Sequence, residues 1–143
     1  MKKAKSTGEL TNAIIQTTDI KGYISDNDKE FIHKPFHTIL MDIIVEKDLD
    51  NKDVIEKSSL NRVYFYHLLS GKRKPSRNKV IQLAFGLGLD LDETQQLLKI
   101  SRMKELYSKL KRDAIIIYAI SNKMSLVEAE ILLEEEDAEI ICT

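Results

Sequence analysis

DLDNKDVIEKSSLNRVYFYHLLSGKRKPSRNKVIQLAFGLGLDLDETQQLL, residues 48–98, is the stretch that decides the fold. It alternates short apolar-periodic runs with residues that start or stop helices. Asp50 has the character of an N-cap, an oxygen-bearing side chain that accepts from a free N–H of the next turn. It opens a short helix over about 51–57, with Val54 and Ile55 turned inward. Ser58, Ser59 and Leu60 break that helix. Asn61 caps a second helix, about 62–70, which Gly71 stops because glycine takes the left-handed conformation at little cost. Lys72 to Pro75 reads as a basic loop, and Ser76 caps a third helix holding Val80, Ile81, Leu83, Ala84 and Leu87, ended by Gly86 and Gly88. Asp90 and Glu93 then have the capping-box spacing that opens a fourth helix through Leu97, Leu98 and Ile100.

Working outward, Pro35 fits the first turn of a helix over about 35–47, whose Phe36, Ile39, Leu40, Ile43 and Ile44 recur at three- and four-residue spacing. Downstream, Lys104 to Ile120 keeps a helical pattern, and Ser125 with Glu128 forms a second capping box for a helix to about Glu136. Upstream, Leu10, Ala13, Ile14 and Thr17 share a helical face that nearby threonines weaken, while DIKGYISDND (residues 19–28) reads as a loop. Six or seven helices joined by short connections predict an all-α bundle. The expected division is an N-terminal arm or short helix over 1–30, a central domain over 31–101 and a helical C-terminal extension over 102–143.

Composition bounds the function classes. The chain has 143 residues, 43% apolar and 31% charged, with only 5 Gly and 2 Pro. That scarcity of chain breakers disfavours a turn-rich β protein. Cys142 is the only cysteine, so no intrachain disulfide and no cysteine-based metal site can form. A reducing cytoplasm fits that usage. MKKAKSTGEL carries the charge of a signal peptide without its apolar run, and no stretch has the ~18 apolar residues of a membrane span. The net charge of −1 conceals a strong polarity. Between Lys57 and Leu89 stand seven cations (Lys57, Arg62, Lys72, Arg73, Lys74, Arg77, Lys79) and no acid; between Leu126 and Ile140 stand seven acids and no cation. Such a distribution can guide a polyanion to one face.

The segment resembles the lambda-repressor-like, XRE-type family of helix-turn-helix regulators over about residues 35–101, and within it a subgroup with a GKRKPSR-like loop and a helical C-terminal extension. The resemblance implies a helix-turn-helix bundle, here with additional C-terminal helices, that lays its second helix in the major groove of double-stranded DNA. It implies base reading by Arg62 and Val63 near the start of that helix and by His67 later in it. It implies phosphate contacts by Asn51 and Tyr64. Three positions depart from the family pattern: Asn51 replaces a glutamine, Ser59 a turn glycine, and Leu69 a glutamate.

The residues themselves support the same face. On a helical wheel of about 100° per residue, Leu68 and Leu69 lie beside Phe65 and point inward. Val63, His67 and Ser70 point outward, with Arg62 and Tyr66 on one flank and Tyr64 on the other. Arginine can bond guanine O6 and N7, and a valine methyl can touch the methyl of thymine. Arg62, Val63, Tyr66 and His67 are therefore the expected base readers. Asn51, Asn61, Tyr64, Lys72, Arg73, Lys74 and Arg77 are the expected phosphate contacts, aided by helix N-termini.

The expected function is sequence-specific transcriptional regulation, repressor-like, by a homodimer that pairs through Ile115–Ile120 and Leu126–Leu133. The alternative is a protein-interaction module, adaptor- or antitoxin-like, that keeps the scaffold without reading an operator and meets its partner through the C-terminal helices. No catalytic constellation, cofactor motif or metal set stands out. His33 and His37 are four apart but lack a third ligand, and Asp48 and Asp50 read as helix-end charges. Neither enzyme activity nor a membrane role is expected.

Overall fold

The computed structural model describes residues 5–31 and 34–143. His33 of the histidine pair considered above lies outside the described residues. The chain is all-α: among the described residues there are nine α-helices, one short 3-10 turn and no strand. It divides into two compact units, residues 1–33 and 34–143.

The first unit contains α1 (Thr7–Gln16) and α2 (Ile20–Asp26), followed by the 3-10 turn Asp28–Glu30. The segment expected to be a loop is thus largely helix α2. Asp19 explains the difference: its carboxylate accepts from the Gly22 N–H at 3.1 Å and caps the helix. Tyr23 is buried behind it, and Asn27 bonds back to the Tyr23 carbonyl at 3.0 Å. Gly22 serves here as a helical residue close to its own cap, not as a breaker.

The second unit contains α3 (Phe36–Glu46), α4 (Asn51–Ser58), α5 (Arg62–Leu69), α6 (Arg77–Gly86), α7 (Leu91–Ile100), α8 (Lys111–Ser121) and α9 (Leu126–Glu135). Helix α6 lies at its centre, packing against α4, α7 and α9. Its Val80, Ile81 and Leu83 are fully buried; each such side chain contributes about 1.5–3 kcal/mol of apolar burial. Phe65 and Leu68 of α5, Leu98 of α7, Ile116 of α8 and Leu133 of α9 complete one continuous core. Residues 102–143 therefore share the core of residues 34–101 and belong to the same unit.

The caps explain why the helices begin where they do. Asp50, Asn61, Ser76, Asp90 and Ser125 each accept from a backbone N–H of their helix's first turn. Both capping boxes are closed in both directions. The Asp90 N–H, helped by Lys47, holds the Glu93 carboxyl below the ordinary glutamate range. Pro35 stands one position earlier than expected, as the N-cap residue of α3.

The helix-ending glycines are where the sequence places them: Gly86 is the last, buried residue of α6, and Gly88 turns the chain at φ +66°. One expectation is corrected. Lys104–Leu110 is not helical, although its apolar spacing predicts helix. Side chains from elsewhere take its backbone groups instead. Gln95 donates to the Leu106 carbonyl at 2.9 Å and accepts from the Leu106 N–H at 2.7 Å. Arg77 and Asp113 bind the flanking peptides, so the segment has little need of helical bonds.

The C-terminal tail is packed as firmly. Ile141 is fully buried, and the Glu130 carboxylate accepts from the N–H groups of Ile141 and Cys142 at 2.6 and 3.0 Å. Burial, reinforced by Glu130, pushes the Cys142 thiol up to about 11.

Candidate nucleic-acid interface

Helices α4 and α5 are joined by Ser59, Leu60 and Asn61. Leu60 is buried and anchors the connection to the core. Ser59 makes the turn in the left-handed region, at φ 54° and ψ 29°. A side chain there is disfavoured by roughly 1–2 kcal/mol, because Cβ crowds the following carbonyl. Ser59→Gly is therefore expected to stabilise the fold by about 1 kcal/mol in a denaturant melt, less the added freedom of the unfolded chain. A loss of stability would show that the serine side chain carries something the turn needs. Asn61 fixes the start of α5 by accepting at Oδ1 from the N–H groups of Val63 (2.9 Å) and Tyr64 (3.2 Å).

The inward face of α5 is Phe65 and Leu68, both fully buried, with Leu69 partly covered. Val63 points out and is 63% exposed, an unusual place for a valine. Arg62 is exposed and lies over the Tyr66 ring, 5.8 Å from its centroid. Tyr66 is 39% exposed and meets Phe65 edge-on at 5.4 Å. His67 is half-buried, and Ser70 is exposed. The four expected base readers thus sit on α5 with Arg62 and Val63 outermost. A groove of about 310 Å³ separates Arg62 and Tyr66 from Lys52, Ile55 and Glu56 of α4.

The basic loop folds back against the end of α5, where the Arg73 N–H donates to the His67 carbonyl at 3.1 Å. Gly71 holds φ +82° there, with the His37 ring beneath it. Lys72, Arg73 and Lys74 are exposed, and none forms an ion pair among the described residues. Tyr64 is half-buried; burial pushes its phenol up, against a smaller opposing pull from Arg73, so it keeps the proton that a phosphate oxygen would accept. In comparisons with family models, curated proteins and solved structures, nothing matches this chain.

Two of the expected phosphate contacts are placed otherwise. Arg77 points to the C-terminal part: Nε donates to the Lys104 carbonyl (2.9 Å), and Nη2 donates to the Glu105 carbonyl (3.2 Å) and Asp113 Oδ2 (3.0 Å). It is a clamp within the protein and is removed from the candidate interface. Asn51 is the first residue of α4, but Asp50 already caps that terminus and Asp53 stands in its first turn. A phosphate arriving there meets negative charge. Asn61 stays in the candidate set: its Oδ1 accepts in the α5 cap, and its Nδ2 is the donor a phosphate oxygen needs.

Two cations absent from the expected set stand at the same surface. Lys52 lines the groove beside Arg62, and Lys79 lies 5.8 Å from the Tyr64 ring while donating to Gln82 Oε1 at 3.0 Å. Sequence spacing gives no sign of Lys52, because its place beside Arg62 depends on the angle set by Ser59. Lys79 was visible in the acid-free run but not as a neighbour of Tyr64. Among the described residues, no three His, Cys, Asp or Glu side chains are grouped to hold a metal ion. No described helix is long and apolar enough to cross a membrane.

Proposed function

We propose that the chain is a sequence-specific DNA-binding regulator, repressor-like, of the helix-turn-helix kind. It sets the outer face of α5 in the major groove of double-stranded DNA. The observation that carries this reading is the pairing of an exposed Arg62–Val63 edge with a loop of three exposed cations, Lys72, Arg73 and Lys74, none in an ion pair among the described residues. Arg62 and Val63 offer base contacts, with Tyr66 and His67 behind them. The loop cations, Tyr64 and Lys79 offer backbone contacts that set affinity and register. Lys52 extends that positive edge on the α4 side. The acting species in this reading is a cytoplasmic homodimer, since paired half-sites multiply the few phosphate contacts of one module. The reading assigns the chain no catalytic step and no cofactor.

The test is binding to genomic fragments retained by the purified protein, measured across a salt series. Log affinity should fall with log salt at a slope of about −0.9 per phosphate neutralised. Arg62→Ala is expected to cost about 1–3 kcal/mol on the preferred site and to relax preference at its base pair. Arg73→Ala is expected to weaken every sequence alike and to lower the slope by about one. Intact sequence preference in Arg62→Ala would overturn the assignment of α5.

A second reading is kept because of the acids at the start of α4 and the diversion of Arg77. In it the scaffold binds a protein and reads no operator. A stable complex with another protein, unchanged by charge reversal at Arg73, would favour it.

A further inference from the structure

Gln82 stands in α6 between the fully buried Ile81 and Leu83, and is itself only 1% exposed. A buried amide is costly unless its polar atoms are bonded. Both ends of this one are. Nε2 donates to the carbonyl of Ser58, the last residue of α4, at 3.0 Å, and Oε1 accepts from Lys79 Nζ at 3.0 Å. The partners dictate which way the amide faces, because a carbonyl only accepts and an ammonium only donates. Gln82 therefore joins the end of α4, where Ser59 turns the chain toward α5, to a cation in the first turn of α6.

Lys79 is half-buried and held from other sides as well. Its Nζ is 3.5 Å from the main-chain oxygen of Thr143 in the packed tail, and 5.8 Å from the centroid of the Tyr64 ring. It forms no ion pair among the described residues. An ammonium has three donors. Gln82 and Thr143 take two, which leaves one for a ligand. The Arg73 guanidinium is near enough to pull on the Tyr64 phenol. Two cations and a phenolic O–H thus adjoin, and together they are a donor set suited to a phosphate oxygen.

We infer that Gln82 is a positioning residue for the backbone contact: its buried amide presents Lys79, beside Tyr64, to a phosphate oxygen of double-stranded DNA. The inference rests on the DNA-binding reading above and adds to it a residue that touches no DNA. A free lysine loses rotamer freedom when it grips a phosphate, whereas a lysine already held has little left to lose. The bond to Ser58 does a second thing. It sets the gripping cation in fixed relation to the turn that orients α5, so register is determined inside the protein.

The experiment is a double-variant cycle on the full chain with Gln82→Met, Lys79→Met and both, each confirmed as folded by circular dichroism. DNA affinity is measured across a salt series, on preferred and unrelated sequences. Gln82→Met is expected to weaken binding about fivefold on every sequence while leaving the salt slope unchanged, because the charge remains and only its preorganisation is lost. Lys79→Met is expected to lower the slope by about one. In the Lys79→Met background, the Gln82 change is expected to cost less than about twofold. An amide that acts only by bracing α4 would cost the same factor in both backgrounds, and that result would overturn the inference.

A second arm needs no DNA: the rate at which acetic anhydride modifies each lysine, read by mass spectrometry. In the parent, Lys79 is expected to react at least about threefold more slowly than the exposed Lys72 and Lys74, and Gln82→Met to remove most of that difference. Gln82→Glu keeps an oxygen for Lys79 while giving up the bond to Ser58, so Lys79 should stay slow there; it decides the point should Gln82→Met not fold. A parent Lys79 as reactive as Lys72, or a fast Lys79 in Gln82→Glu, would contradict the hold. A parent chain that binds no DNA while its Lys79 reacts slowly would remove the phosphate role together with the proposed function, and leave the hold itself standing.

Discussion

Gly86→Ala is expected to destabilise the 34–143 unit by about 3 kcal/mol, the upper part of the range for overpacking a core. A Cβ at this position would stand 2.6 Å from the Ser58 Cβ and 2.8 Å from the Val54 carbonyl oxygen. The second of these is backbone and cannot swing aside as a long side chain can. Alanine would gain about 1 kcal/mol of helix propensity in α6, which the clash more than offsets. The surroundings leave little slack: Ser58 Oγ bonds the Val54 carbonyl at 2.6 Å, and the buried Gln82 donates to the Ser58 carbonyl at 3.0 Å. Relief therefore requires α4 to move away from α6, and with it the turn that orients α5. Urea melts of the two chains supply the measurement. In the proposed role, binding to the preferred site should weaken in step with stability. Gly88→Ala is the control, since space is open there and only the positive φ is penalised. A Gly86→Ala chain as stable as its parent would mean that α4 and α6 do not approach as closely as described.

The fold was legible in the sequence wherever its cause is local. An N-cap is decided within about three residues. Asp50, Asn61, Ser76, Asp90 and Ser125 accordingly open their helices where the sequence places them. The outer face of α5 was legible for a similar reason, because helical periodicity separates Val63 from Phe65 without reference to any other element. The departures arise where a distant partner decides. Lys104–Leu110 has helical spacing, yet Gln95 and Arg77 claim its peptide groups across 11 to 28 positions. Gly86 ends α6 as the sequence places it, but its close approach to α4 shows only once the two helices are packed. Arg77 counted as one of seven cations in an acid-free run, but its acid, Asp113, lies 36 residues downstream. A charge run measured along the chain does not reveal which cations the fold will neutralise.

That pairing leads to the second large effect. Asp113→Ala is expected to cost about 2–3 kcal/mol of stability, because it removes a buried acceptor of two hydrogen bonds, one of them from a partly exposed cation. The Asp113 side chain is 3% exposed, and its Oδ2 accepts both from Arg77 Nη2 at 3.0 Å and from the Tyr107 N–H at 3.0 Å. Removal takes the counter-charge from a guanidinium that keeps its two carbonyl bonds, leaves the Tyr107 N–H without its acceptor, and loosens the segment that links α7 to α8. Arg77→Ala should be costly for the mirrored reason, though Asp113 would keep the Tyr107 bond. The double variant should lose less than the sum of the two, with a coupling of about 0.5–3 kcal/mol, since the second change removes a charge already orphaned. These values come from denaturant melts of the three variants and the parent. The cycle also separates a clamp from a phosphate contact. As a clamp, Arg77 should couple to Asp113 in stability, and its loss should leave the salt slope of DNA binding unchanged in protein that remains folded. As a phosphate contact, its loss would lower that slope by about one and leave stability almost untouched. The two carbonyls and the carboxylate around its guanidinium favour the clamp.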